Sequence, residues 1–251
     1  MLNECKKDTF ISDNILSYDK YMDLIDLLGG IESDEDGSQF VKVQVDKMIK
    51  YFLVPVSRGD KLSKEIVKEY IEKNGKAIGT NILKVDSFLN HQIDPNLMMA
   101  MGEEFKRRFK DQGVNKILTI EASGIAIGLA AAYAFNVPLV FAKKKIPSTM
   151  GDFYTTNVFS FTKNKDYTIC VAKEFLTPND KVLIVDDFLA MGNAVLGLKT
   201  LVESAGAIVI GAGIAVEKGF QQGEKLLTDN GIKVEALAVV DSLENGIIKF
   251  R

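Results

Sequence analysis

From residue 61 onward the chain repeats one pattern: a short run of β-branched and aliphatic residues, a turn rich in small residues, then an amphipathic stretch. Strand-like runs fall at Lys116–Ile120, Pro138–Ala142, Lys181–Asp186, Ala207–Val216 and Lys233–Val239. Between or before them lie helical patterns at Asp60–Asn74, Pro95–Phe109, Gly124–Phe135, Ala190–Ser204 and Gln221–Asn230. Continuous apolar strands alternating with helices are what a parallel sheet covered on both faces requires. The expected class is therefore α/β, a mostly parallel twisted sheet flanked by helices. One stretch departs from the alternation. Val158–Thr162 and Thr168–Ala172 read as two strands joined around Asn164, an antiparallel hairpin preceded by the basic run Lys143-Lys144-Lys145. A long insertion of this kind in a compact α/β domain is a candidate mobile lid.

The first sixty residues do not share the pattern. They carry 12 acids against 7 bases, net −5, whereas residues 61–251 carry 22 acids and 24 bases, net +2. We read 1–60 as an acidic N-terminal extension of unknown role and 61–251 as the main domain. Within the extension, residues 12–28 have helical periodicity, Phe40–Val45 roughly alternates, and Met48–Val56 is apolar. Its acidity argues against nucleic acid as a partner, because that affinity rests on Lys and Arg.

Other classes fall on composition. With His91 the sole histidine, a His-rich metal site is impossible and a Ser/His/Asp triad would have to use that one residue. Two cysteines do not make a disulfide framework, and no leader pattern opens the chain, so a cytoplasmic protein is expected. The longest uncharged run, Gly124–Ala142, approaches spanning length but is broken by Asn136-Val137-Pro138, so no membrane span is expected.

The sharpest chemical signal is Val182-Leu183-Ile184-Val185-Asp186-Asp187-Phe188-Leu189-Ala190-Met191-Gly192-Asn193-Ala194. A buried strand runs into two carboxylates and then a small-residue turn that opens a helix. Ligands of parallel sheets gather at the carboxyl ends of the strands. There the Ala190–Ala194 turn offers backbone N–H groups and a helix dipole to a phosphate. Carboxylates repel phosphate, so a phosphorylated sugar fits the pair of features better: acids at the hydroxyls or at a hydrated magnesium ion, N–H groups at the phosphate. A second small-residue turn, Glu121-Ala122-Ser123-Gly124, and the bases Lys143 and Lys144 end neighbouring strands and would add anion-binding capacity.

The run Val182–Ala194 resembles the phosphoribosyl diphosphate (PRPP) motif of type I phosphoribosyltransferases. The segment Leu83-Lys84-Val85-Asp86-Ser87-Phe88-Leu89-Asn90-His91-Gln92-Ile93-Asp94-Pro95 is similar to the amino-terminal signature of the bacterial xanthine phosphoribosyltransferases. Glu121–Ile125, Phe159–Lys163 and Val216–Phe220 match in order, so the resemblance runs from about Ser63 to the end. It implies the type I fold with a small N-terminal hood and a mobile hairpin. It also implies a cytoplasmic homodimer that salvages purines, converting PRPP and xanthine with Mg2+ to XMP and pyrophosphate. Residue by residue, it implies PRPP binding by Ala190, Met191, Gly192, Asn193 and Ala194, with Asp186 and Asp187 at the ribose as the catalytic acids and no direct protein ligand to metal. Ser123, Gly124, Lys143 and Lys144 join the PRPP site, while Leu83, Asn90 and Lys218 contact xanthine. Met191, Asn193 and Ile127 depart from the usual pattern, where Asn, Gln and Pro are common. Guanine or hypoxanthine as preferred base, and a PRPP-sensing regulator without catalysis, are the alternatives.

Overall fold

The computed structural model describes residues 32–33, 39–45, 48–53, 61–160 and 165–251. The chain divides into two units, Met1–Gly59 and Asp60–Arg251. In the first, β1 (Glu32–Ser33), β2 (Gln39–Val45) and β3 (Met48–Leu53) form an antiparallel three-stranded sheet in that order. The helix expected over 12–28 lies outside the described residues.

The second unit opens with α1 (Lys61–Asn74), a two-stranded hairpin of β4 (Lys76–Ile78) and β5 (Ile82–Lys84), and a π-helical turn at Asp86–Asn90. This small hood had no periodicity to announce it, because each of its pieces is too short to show one. Helix α2 (Pro95–Arg108) follows, its start set by Asp94, whose carboxylate accepts from the N–H groups of Asn96 and Leu97, with Pro95 at the first position.

The central sheet contains β6 (Lys116–Ile120), β7 (Leu139–Ala142), β10 (Lys181–Leu189), β11 (Ile208–Lys218), β12 (Val234–Ser242) and β13 (Lys249–Phe250), ordered β13-β12-β11-β10-β6-β7. All are parallel except β13, which pairs antiparallel with β12. Between β6 and β7 runs α3 (Gly124–Phe135); between β10 and β11 runs α4 (Asn193–Ser204); between β11 and β12 runs α5 (Gly223–Asp229). The chain moves outward to β7 from β6 and the opposite way to β11 and β12 from β10. The β6–β10 junction is thus the topological switch point, where loops diverge and leave a crevice.

Two apolar clusters cover the faces. One contains Ile71, Leu97, Met101, Phe105 and Ile127 from α1, α2 and α3, packed on Leu183 and Val185. The other contains Val195, Leu198 and Leu201 of α4 and Leu227 of α5, packed on Val182 and Ile184. The alternation of Val182 to Val185 between faces follows from the period of two along a strand. Helices α2 and α3 meet at Gly102, where a Cβ would lie 2.5 Å from the Ala130 carbonyl oxygen. Backbone cannot yield as a flexible side chain would, so Gly102→Ala is expected to destabilise the fold by about 1–3 kcal/mol. A shift in the denaturant midpoint with an unchanged slope measures it.

Asn136 ends α3 in the left-handed conformation (φ 56°), its N–H donating to Ala132 and Tyr133 carbonyls, which is the break expected before Pro138. Among the described residues no helix is long and apolar enough to cross a membrane.

The hairpin, β8 (Phe153–Ser160) and β9 (Lys165–Ala172), stands apart from the main sheet as anticipated. Its lower half, however, is packed rather than free. Val158 and Ile169 are buried against α4, whose Gly197 leaves room for Val158, and Lys143 and Cys170 exchange backbone hydrogen bonds of 2.9 and 3.0 Å. A closure that moved the whole segment from Lys143 to Val171 would have to break this packing.

Candidate active site

Strand β10 is the centre of the site. Val182, Leu183, Ile184 and Val185 are fully buried, and the strand continues past them through Asp186 and Asp187 to Leu189. The expected strand ended at Asp186, because polar residues mark a strand end in sequence. Here neighbouring strands keep the pairing alive: Asp186 is opposite Ile214 and Phe188 opposite Val216. Helix α4 accordingly starts at Asn193 and not at Ala190. Ala190–Gly192 forms the turn between them, with Gly192 left-handed at φ 85°, a conformation that favours glycine.

No side chain caps α4. Its first-turn N–H groups therefore face outward at the positive end of the helix. The Asn193 side chain is committed elsewhere, its Nδ2 donating to the Phe159 carbonyl at 3.2 Å. The turn rests on α5, since a Cβ on Gly223 would lie 2.4 Å from the Ala190 oxygen.

Across the switch point, the turn after β6 meets the acids. A Cβ on Gly124 would lie 2.1 Å from Thr119 Oγ1 and 3.0 Å from Asp186 Oδ1, so only glycine lets the Asp186 carboxyl approach the start of α3. Ser123 is the residue before that helix, with no side-chain capping bond. Asp186 and Asp187 are 6% and 7% exposed, and the Asp187 N–H donates to Asp186 Oδ1 at 3.0 Å. Burial pushes the Asp186 carboxyl well above the usual range, the Asp187 charge adds to this, and Lys144 opposes it.

A raised folded value means that protonation of Asp186 favours the fold at low pH and that this contribution is lost as pH rises through the carboxyl's titration. Asp186→Asn is therefore expected to be more thermostable than the wild type at pH 8 by about 2–4 °C, the effect of roughly 1 kcal/mol at this length. The gap should close toward pH 4. Thermal scans at both pH values test this.

The two predicted lysines part company. Lys144 reaches the site: its N–H donates to Glu121 Oε1 at 2.6 Å, its ammonium lies 5.7 Å from the Tyr167 ring centre, and its charge acts on Asp186. Lys143 faces the outer side of β7, over Phe141, where it lines a groove with Pro147 and Phe175. Lys143 and Lys144 thus lie apart, because adjacent residues at a strand end point to opposite sides.

Lys218 ends β11. Its ammonium donates to the Asn81 carbonyl of the hood at 2.9 Å and sits 5.8 Å from the Phe188 ring centre; burial lowers its pKa. Leu83 is buried in the hood core, two residues from Asn81, while Asn90 is exposed at the end of the π-helical turn. The hood thus closes over the same sheet face that carries Phe188 and Lys218. A flat aromatic surface, a cation and a carbonyl together suit a planar heterocycle bearing an oxo group.

Phe188, Tyr167 and Thr119 were missed in sequence, and Glu121 was named there only as the start of its turn. Phe188 had a usable signal, its place directly after the acids in the motif. Tyr167 and Thr119 had none, since only the fold brings them to the acids.

A model of the phosphoribosyl transferase domain family matches residues 90–241. The chain is 53% identical over 188 residues to the xanthine phosphoribosyltransferase of Clostridium novyi, which covers 74% of this chain and 99% of that protein. It is 54% identical over 187 residues to that of Ruminiclostridium cellulolyticum, with 74% and 98% covered. Among solved structures, the APRTase from Giardia lamblia superposes with a TM-score of 0.59 at 24% identity, covering 69% of this chain and 96% of that one. The adenine phosphoribosyltransferase from Rhodothermus marinus gives 0.58 at 22%, covering 70% and 99%. These two likenesses bear on the fold alone, and it is the type I architecture. The chain belongs to the phosphoribosyl transferase family, alongside the bacterial xanthine phosphoribosyltransferases.

Proposed function

We propose that this protein transfers the 5-phosphoribosyl group from PRPP to xanthine, giving XMP and pyrophosphate, as a cytoplasmic enzyme of purine salvage. The observation that carries this reading is the placing of Lys218 and Phe188 under the hood, one strand from the Asp186–Asp187 pair and the α4 N-terminus. In this reading the backbone N–H groups of Ala190–Ala194 hold the 5-phosphate. Ser123, Gly124 and Lys144 receive the pyrophosphate. Leu83, Asn90 and Lys218 hold the base, with the ammonium donating to an exocyclic oxygen.

As the bond from C1 to pyrophosphate loosens, positive charge develops on the ribose. Asp186 and Asp187 accept hydrogen bonds from its hydroxyls and offset that charge in a site with little water. Two adjacent carboxyls are hard oxygen donors and fit a hydrated Mg2+ that arrives with PRPP. Among the described residues no group of three or more His, Cys, Asp or Glu could hold a metal, so PRPP oxygens and water would supply most of the coordination. Bound there, the ion would neutralise charge on the departing pyrophosphate. Ala190 stands where some related enzymes carry an acid, and no side chain is assigned as proton acceptor.

We further propose a homodimer. Leu129 and Tyr133, one helical turn apart on α3, are 60% and 62% exposed and are suited to burial by a second copy. Sedimentation at micromolar concentration tests it.

Pyrophosphate release with PRPP and Mg2+, presenting xanthine, guanine, hypoxanthine and adenine separately, tests the activity. Release with xanthine and none with adenine is expected. Release favouring guanine or hypoxanthine would reassign the base. PRPP binding without release from any base would point to the sensor.

A further inference from the structure

Behind Lys218 lies a group of charges that the proposed reaction leaves unused. Glu217, its neighbour on β11, is only 3% exposed and points to the opposite face. Glu224 of α5, Asp241 of β12 and Arg251 surround its carboxyl, which is pushed up to about 7 by burial, then by the Glu224 charge, with Arg251 opposing. Arg251 holds the group together, its guanidinium 3.1 Å from Asp241 and 3.4 Å from Glu224.

Its own backbone is fixed on both sides. The Arg251 N–H donates to the Val239 carbonyl at 3.0 Å, and Lys68 of α1 donates to its carbonyl at 2.8 Å. Exposed ion pairs are weak when both partners are free to swing. Here the arginine's backbone is pinned, so its guanidinium has less freedom to lose.

The pair presses on the turn that carries Lys218. A Cβ on Gly219 would meet Asp241 Oδ1 at 2.7 Å, Val239 Cγ1 at 2.8 Å and Arg251 Nη2 at 3.0 Å. On the other side, Glu224 follows Gly223, which packs on the Ala190 oxygen and against Gly192 in the phosphate turn. A continuous line of contacts therefore runs from the phosphate turn through α5 and Arg251 to Gly219 and Lys218.

We propose that Glu217, Glu224, Asp241 and Arg251 form a positioning network that sets Lys218 relative to the phosphate turn, so that Arg251 governs how tightly the purine is held without touching it. The inference rests on the reading of Lys218 as the base-contacting cation. Helix α5 and the last strand serve in it as a brace for the two halves of the substrate site.

Steady-state kinetics of the full chain with xanthine test it. Arg251→Ala is expected to raise the KM for xanthine about 3–10-fold with kcat within about twofold. Arg251→Lys, keeping the charge, should recover much of the loss. Gly219→Ala, which pushes the Arg251–Asp241 pair outward, should reproduce it. The decisive comparison is Arg251→Ala in a Lys218→Met background, where the further rise in KM should fall below about twofold, because two residues acting through one contact are not additive. An equal rise in both backgrounds, or an unchanged KM in Arg251→Ala, overturns the network. A wild type that turns over no oxopurine at all overturns the base-site reading, and this inference with it. The two failures are thereby distinct.

Discussion

Asp187→Ala is expected to lower kcat by about two to three orders of magnitude while the KM for xanthine stays within about threefold. The carboxyl lies at the switch point, 7% exposed, one residue beyond Asp186 and three before the turn that begins at Ala190. At that depth its charge is poorly screened and is worth more in the transition state, when the ribose carries positive charge, than in the ground state. In the proposed reading the base binds on Lys218 and the hood, so it should scarcely register the loss. Single-turnover measurements with saturating PRPP separate chemistry from release of product. Equal losses in turnover and in base affinity would show that Asp187 holds the substrate and does not stabilise the developing charge.

Lys218→Met is expected to do the reverse. A hydrogen bond from a charged donor is worth about 1.5–3 kcal/mol, so kcat/KM for xanthine should fall roughly 10–150-fold, mostly through KM. Methionine keeps most of the aliphatic stem, which limits the change largely to the ammonium that sits over Phe188. In the free protein that ammonium donates to the Asn81 carbonyl, and its pKa is lowered by burial. A base with an exocyclic oxygen takes the place of, or adds to, that partner. Adenine brings an amino group to the same spot, a donor against a donor. The variant should therefore lose discrimination: the ratio of xanthine to adenine turnover falls toward one. Retention of full xanthine selectivity would move specificity to the hood.

Much of this was legible without coordinates because it depends on local pattern. The α3 bounds agree residue for residue, and the break at Asn136-Val137-Pro138 ends that helix as expected. Strand β6 likewise begins at Lys116 and ends at Ile120. The acid pair does lie near a strand end, before a small-residue turn that opens a helix. The misreadings share a physical cause. The end of β10 and the start of α4 are decided by pairing with neighbouring strands, which no local window contains.

Sequence by itself determined the fold class and the order of the elements, and it singled out Asp186, Asp187, the turn after them and Lys218 as the candidates on which the proposed reading rests. Hydrophobic period and turn chemistry are properties of short stretches and survive without partners. Only the tertiary structure decided that Asp186 lies against Gly124, that Lys144 and not Lys143 faces it, and that Arg251 stands behind Lys218. Each of these joins residues far apart in the chain, and such contacts exist only once strands have taken their places in the sheet and burial has fixed which side chains face one another.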